Sequence, residues 1–123
     1  MKKMQFSLKT KVTTPLLEET VNWYKTAFGM TIAQEWNKPD DKGAILVFAG
    51  SKKEAFLEVY YSEAAHDFQG LSLQFRVENL QAFISQLPDS YDYEGPRPRP
   101  WGSTYLYLRD PNDILVIVYE GGM

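Results

Sequence analysis

A chain of 123 residues, 44% hydrophobic and 24% charged, is long enough for one globular domain with a core and too apolar to be a disordered segment. A net charge of −3 offers nucleic acid no basic face, no apolar run is long enough to span a bilayer, and Met1-Lys2-Lys3-Met4-Gln5 lacks the apolar stretch of a signal peptide. The absence of cysteine excludes disulfides and thiol nucleophiles, the single histidine, His66, excludes any site needing two histidines from one chain, and both fit a cytoplasmic protein.

In chain order, residues 5–12 alternate, with Phe6, Leu8, Thr10 and Val12 on one face and Ser7, Lys9 and Lys11 on the other, which predicts a strand. A helix is expected next, with Thr14 as N-cap and Pro15 at its first position; Glu18 and Glu19 suit its positive end. Its apolar stripe is Leu17, Val21, Tyr24 and Phe28, and Gly29 stops it. Three strands follow as a meander: Thr31–Trp36, a turn-rich run from Asn37 to Gly43, Ala44–Phe48, a turn over Gly50-Ser51-Lys52-Lys53, and Ala55–Tyr61. The polar stretch Ser62–Gly70, with His66, connects to a second half of the same order. There Gly70–Val77 reads as a strand, and Asn79 caps a helix with the stripe Leu80, Phe83, Ile84 and Leu87, ended by Pro88. Tyr91–Tyr93 reads as a short strand, Gly95–Gly102 as a rigid proline-rich loop, and Ser103–Leu108 and Ile114–Tyr119 as the last two strands.

The halves echo one another in sequence as well as in order. Ser7-Leu8-Lys9-Thr10-Lys11-Val12 returns as Ser72-Leu73-Gln74-Phe75-Arg76-Val77, and Leu57-Glu58-Val59-Tyr60 as Val116-Ile117-Val118-Tyr119. A duplication of about 60 residues implies two βαβββ modules, each with a helix on one sheet face. Pairing the two open faces would leave a crevice, so the expected fold class is α+β, two tandem βαβββ modules forming an open mixed-sheet crevice, one domain over residues 1–123 with modules at about 5–61 and 70–120.

Two segments carry a family resemblance. Trp101-Gly102 with Leu108-Arg109-Asp110-Pro111-Asn112-Asp113-Ile114-Leu115 resembles the (F/V)RDPDGNxIEL hairpin of the vicinal oxygen chelate superfamily, which includes glyoxalase I, bleomycin-resistance proteins and extradiol dioxygenases. Val21-Asn22-Trp23-Tyr24 and Phe28-Gly29-Met30 are similar to that family's FYxxxLGF helix end. Asp113 stands where the family has Gly, at a position expected to need positive φ. The resemblance implies the same fold and a homodimer. It leaves the chemistry open, because the superfamily hosts both enzymes and binding proteins.

Family enzymes commonly hold a metal through His or Gln, Glu, His and Glu in the first and last strands of each half. Carried over by the resemblance, these positions are Ser7, Glu58, Ser72 and Ile117, of which only Glu58 is a competent ligand. No metal and no other cofactor is therefore expected. By strand parity Glu58 shares a face with Phe56 and Tyr60, which the resemblance makes a crevice face. Glu58 is then a general base, an anchor for a cationic ligand or an ion-pair partner of Lys9. Lys9 and Gln74 are expected at matching places beside Ser7 and Ser72, as polar ligand contacts. Tyr105 and Tyr107, which alternate with Leu106 and Leu108, are expected to stack on ligand. Phe48 is assigned to the same ligand set. Trp36 and Trp101 suit stacking or dimer burial equally, Arg97 and Arg99 suit an anionic group, and Trp23 suits packing.

The expected function is a metal-free small-molecule protein that binds a drug or metabolite in an aromatic crevice. The alternative is an atypical metal-dependent lyase, isomerase or dioxygenase with Glu58 as ligand or base. A third reading is an interaction module whose crevice is filled by side chains.

Overall fold

In the computed structural model, residues 3–50, 55–64 and 66–122 are described. The Met1-Lys2 start and Ser51-Lys52-Lys53 of the second predicted turn lie outside them. The chain divides into two compact units, Met1–His66 and Asp67–Met123.

The first unit runs β1 (Leu8–Thr14), α1 (Leu17–Phe28), β2 (Met30–Lys38), β3 (Asp41–Phe48) and β4 (Ala55–Tyr61). Its sheet order is β1-β4-β3-β2, with β1 parallel to β4 and the other pairs antiparallel. The second unit runs β5 (Ser72–Arg76), α2 (Leu80–Gln86), β6 (Glu94–Pro98), β7 (Ser103–Arg109) and β8 (Leu115–Gly121). Its order is β5-β8-β7-β6, with β5 parallel to β8. Two mixed four-stranded sheets, each with one helix, are the expected α+β class. No helix among the described residues is long and apolar enough to cross a membrane.

Each sheet buries one face. α1 packs on β2, β3 and β4, and Val12, Leu46 and Val59 beneath it are fully buried. α2 packs on β8, and Leu106, Leu108, Val116 and Val118 are buried on the corresponding face. Period-2 alternation then leaves the odd-numbered residues of β1, β3 and β7 on the other face.

Several expectations move. Thr14 does not cap α1: it is still held in the β1–β4 ladder opposite Tyr61, and its hydroxyl accepts from Leu16 N at 2.8 Å. The helix therefore begins at Leu17, and its buried stripe is Thr20, Tyr24 and Ala27, rotated from the predicted one. Trp23 packs, as expected, against the rings of Tyr24 and Phe28 at 4.9 and 6.1 Å. The β2–β3 hairpin extends much further than predicted: Lys38 pairs with Asp41, leaving only Pro39-Asp40 as the loop. Asn79 does cap α2, accepting from Ala82 N at 3.0 Å, and Glu120 on β8 accepts from Leu80 N at 2.7 Å.

Residues 91–93 are not a strand, and the first half of the predicted rigid loop is one. β6 covers Glu94–Pro98 at the sheet edge, where proline costs least because one side needs no donors. Pro96, Pro98 and Pro100 alternate with Arg97 and Arg99, so the arginines supply the N–H groups: Arg97 pairs with Tyr105, and Arg99 N donates to Ser103 O at 2.7 Å. Only Arg99–Gly102 turns, with Gly102 N donating to Arg99 O at 3.1 Å.

Asp113 has φ +63, the left-handed conformation its family position suggested. Its carboxylate lies 3.9 Å from Arg109 at an exposed site, a contact that contributes little. Asp113→Gly is expected to raise stability by about 0.5–1 kcal/mol, read as a higher urea midpoint at unchanged slope.

Candidate functional site

On the open face of the first unit, β1 supplies Lys9 and Lys11 and β4 supplies Phe56, Glu58 and Tyr60. Glu58 is buried at 8% exposure and sits in the ladder between Lys11 and Ile45. Its Oε1 is 3.2 Å from Lys9 Nζ, and its Oε2 is 3.9 Å from Lys11 Nζ. Two ammonium groups thus answer the buried carboxylate. Lys11 also lies 4.4 Å above the Tyr60 ring.

Trp36 is fixed in this face rather than free to stack. It pairs with Gly43, its indole occupies the space a Gly43 side chain would take, and its Nε1 donates to Asp41 Oδ1 at 2.8 Å. Asp41 is bonded to Tyr60 as well. That hydrogen bond raises the Tyr60 phenol above its usual pKa; desolvation and the negative charges of Asp41, Asp40 and Glu58 push the same way. Phe48 departs from its expected set, because parity puts it with Leu46 on the helix-covered face. Ser7 precedes β1 and is not a strand residue.

The second unit gathers most of the predicted aromatic contacts. β7 places Tyr105 and Tyr107 on the open face, with centroids 6.0 Å apart. Tyr105 also meets Trp101 at 5.6 Å, edge to face, and Tyr119 at 5.8 Å. The result is a platform of four rings on β7, β8 and the β6–β7 turn, with Trp101 50% exposed at its rim. Gln74 and Ser72 border it: Tyr105 Oη donates to Gln74 Oε1 at 3.5 Å, and Gln74 Nε2 to Ser72 Oγ at 3.4 Å, both long bonds. Arg97 lies 5.4 Å from the Tyr107 centroid and Arg99 4.9 Å from that of Trp101. Tyr119 was missed from sequence, although it shares the parity of Ile117 two residues earlier. Arg97 and Arg99 were named for an anionic group, but the loop reading of β6 hid their place against the rings.

The ladders correct one equivalence. Lys11 lies opposite Glu58 and Gln74 opposite Ile117, so aligning Tyr60 with Tyr119 makes Lys9 match Ser72 and Lys11 match Gln74. The echo of the first strands is two residues out of step with that of the last strands, and Lys9 does not match Gln74.

Metal fit follows from these contacts. Beside Glu58 stand lysines, which carry no lone pair when protonated, and beside Ile117 stands an amide. Among the described residues no three His, Cys, Asp or Glu side chains cluster. These groups do not form a donor set for a divalent cation.

The family model for the Glyoxalase/Bleomycin resistance protein/Dioxygenase superfamily matches residues 8–118. Among solved structures, the chain is similar to TnmS3, an antibiotic binding protein from Streptomyces sp. CB03234, with TM-score 0.79 and 14% identity over 99% of this chain and 100% of that one. It is similar to the fosfomycin resistance protein FosX from Listeria monocytogenes, with TM-score 0.76 and 11% identity over 100% and 96%. It is also similar to a glyoxylase/bleomycin resistance protein/dioxygenase domain from Frankia sp. EAN1pec, with TM-score 0.71 and 17% identity over 99% and 100%. At these identities the likeness is one of fold. No curated protein matches the sequence.

Proposed function

This chain belongs to the Glyoxalase/Bleomycin resistance protein/Dioxygenase superfamily, and we propose that within it the protein is a small-molecule binder that uses an aromatic platform and no metal of its own. The observation that carries this reading is the ring cluster Trp101, Tyr105, Tyr107 and Tyr119 on the open face of the second unit. Tyrosines and tryptophan combine flat apolar area with a polar edge, which suits a planar drug or metabolite. The donor chemistry around Glu58 and Ile117 supports binding without a protein-held metal. An antibiotic binding protein and a fosfomycin resistance protein among the structural neighbours fit a small-molecule ligand. The two lysines on Glu58 weigh against its use as a general base.

The test is calorimetric titration of chelator-treated, desalted protein with naphthalene and quinoline derivatives. At least one is expected to bind with a dissociation constant below about 1 mM. Trp101→Ala is expected to weaken that binding by about tenfold. Because Trp101 is half exposed, the same change should leave the unfolding midpoint nearly unaltered. No binding by any compound, or binding that appears only when a divalent metal is restored, would overturn the reading.

A further inference from the structure

We infer that the ligand of this platform is a planar aromatic anion, its ring lying on Trp101 and the tyrosines and its acid group held by Arg97 and Arg99. This rests on the binding reading above and adds the charge of the ligand to it.

The four arginines of the chain all lie in the second unit, and they divide into two kinds. Arg76 is occupied, with Nη1 3.0 Å from Glu78 Oε1 and Nε donating to Gly121 O at 3.2 Å. Arg109 is occupied by the carbonyl and carboxylate of Asp113. Arg97 and Arg99 have no ion pair and no side-chain hydrogen bond among the described residues; Arg99 Nε is buried with no partner. Yet the chain is acidic, with 16 carboxylate side chains against 13 lysines and arginines. Glu94 stands on the same strand, opposite Tyr107, and still pairs with neither.

Both guanidinium groups are instead held against rings of the platform, one at Tyr107 and the other at Trp101. Stacking uses the face of a guanidinium and leaves its in-plane N–H groups for an acceptor. The backbone beneath them is stiff, because prolines at 96, 98 and 100 fix alternate φ angles. Arg97 lies on β6 and Arg99 just past its end, and their guanidinium groups reach neighbouring rings of the same platform, Tyr107 and Trp101. Unanswered donors on a rigid edge beside a flat apolar surface match a flat molecule that ends in a carboxylate, or in an acid of similar shape.

The test uses three probes of one shape: 2-naphthoate, 2-naphthamide and 2-naphthylmethylammonium, titrated into the full chain by calorimetry. Naphthoate is expected to bind about tenfold more tightly than naphthamide, with the ammonium weakest. Added salt should weaken naphthoate and leave naphthamide unchanged. Arg97→Gln and Arg99→Gln should each lower naphthoate affinity about five- to tenfold and leave naphthamide within about twofold. Equal binding of the three, or a preference for the ammonium, would overturn the anion inference while leaving the binding reading in place. Absence of binding by all three would overturn both.

Discussion

Asp110→Ala is expected to cost about 2–4 kcal/mol of stability, the largest loss from any one side chain outside the apolar core. Asp110 is 5% exposed, and its Oδ1 accepts from Asn112 N at 2.8 Å and from Ile114 N at 3.0 Å. Its backbone is tied to the same turn, with Asp110 N donating to Ile114 O and Asp113 N to Asp110 O. Alanine keeps the backbone bonds and removes both side-chain ones. Ile114 is fully buried, so its N–H would be left without water as a substitute. Asp110→Asn keeps one acceptor oxygen and should recover about half of the loss. Urea unfolding of both variants checks this, and losses within about 0.5 kcal/mol for alanine would refute it. The effect reaches the platform, because this turn joins β7, which carries Tyr105 and Tyr107, to β8, which carries Tyr119.

The β7–β8 hairpin was legible because its signals are local. Leu106 and Leu108 alternate with tyrosines, and the turn between the strands has a side chain that satisfies its own backbone. The same holds for Asn79 at the start of α2 and Gly29 at the end of α1, where φ is +64. What failed were readings that depend on a strand elsewhere in the chain. Thr14 looks like a cap until β4 is there to pair with it. Pro96 and Pro98 look like a loop until an edge position makes their missing N–H groups harmless. Register between the halves was misread for a related reason. Sequence echo aligns Ser7 with Ser72, but the partner strand fixes which residue faces Glu58 or Ile117, and that pairing shifts the match by two. Of the candidate site, the parity of Glu58, Tyr60, Tyr105 and Tyr107 could be read. The partners that decide their chemistry, two lysines on Glu58 and arginines over Tyr107 and Trp101, could not be fully placed without the fold.

The two units also fill one equivalent position in different ways, and this leads to the second large effect. With Tyr60 matched to Tyr119, their ladder partners match as well: Gly43 in the first unit and Tyr105 in the second. Where β7 carries a ring of its own, β3 has none, and the Trp36 indole from β2 covers the gap. A Cβ at Gly43 would lie 2.5 Å from Trp36 Cζ2 and 2.9 Å from Val59 O. The indole could swing away only by losing its bond to Asp41, which is also the partner of Tyr60. Val59 O belongs to the neighbouring strand and cannot move without opening the β3–β4 ladder. Gly43→Ala should therefore destabilise the protein by about 2–3 kcal/mol, in line with overpacking of a tight interior. Adding Trp36→Ala removes the ring contact and leaves the carbonyl contact, so the double variant should be less stable than Trp36→Ala alone by about 1 kcal/mol. Urea midpoints of the two single variants and the double variant measure both terms. A Gly43→Ala protein as stable as the parent would show that Trp36 is not seated on Gly43.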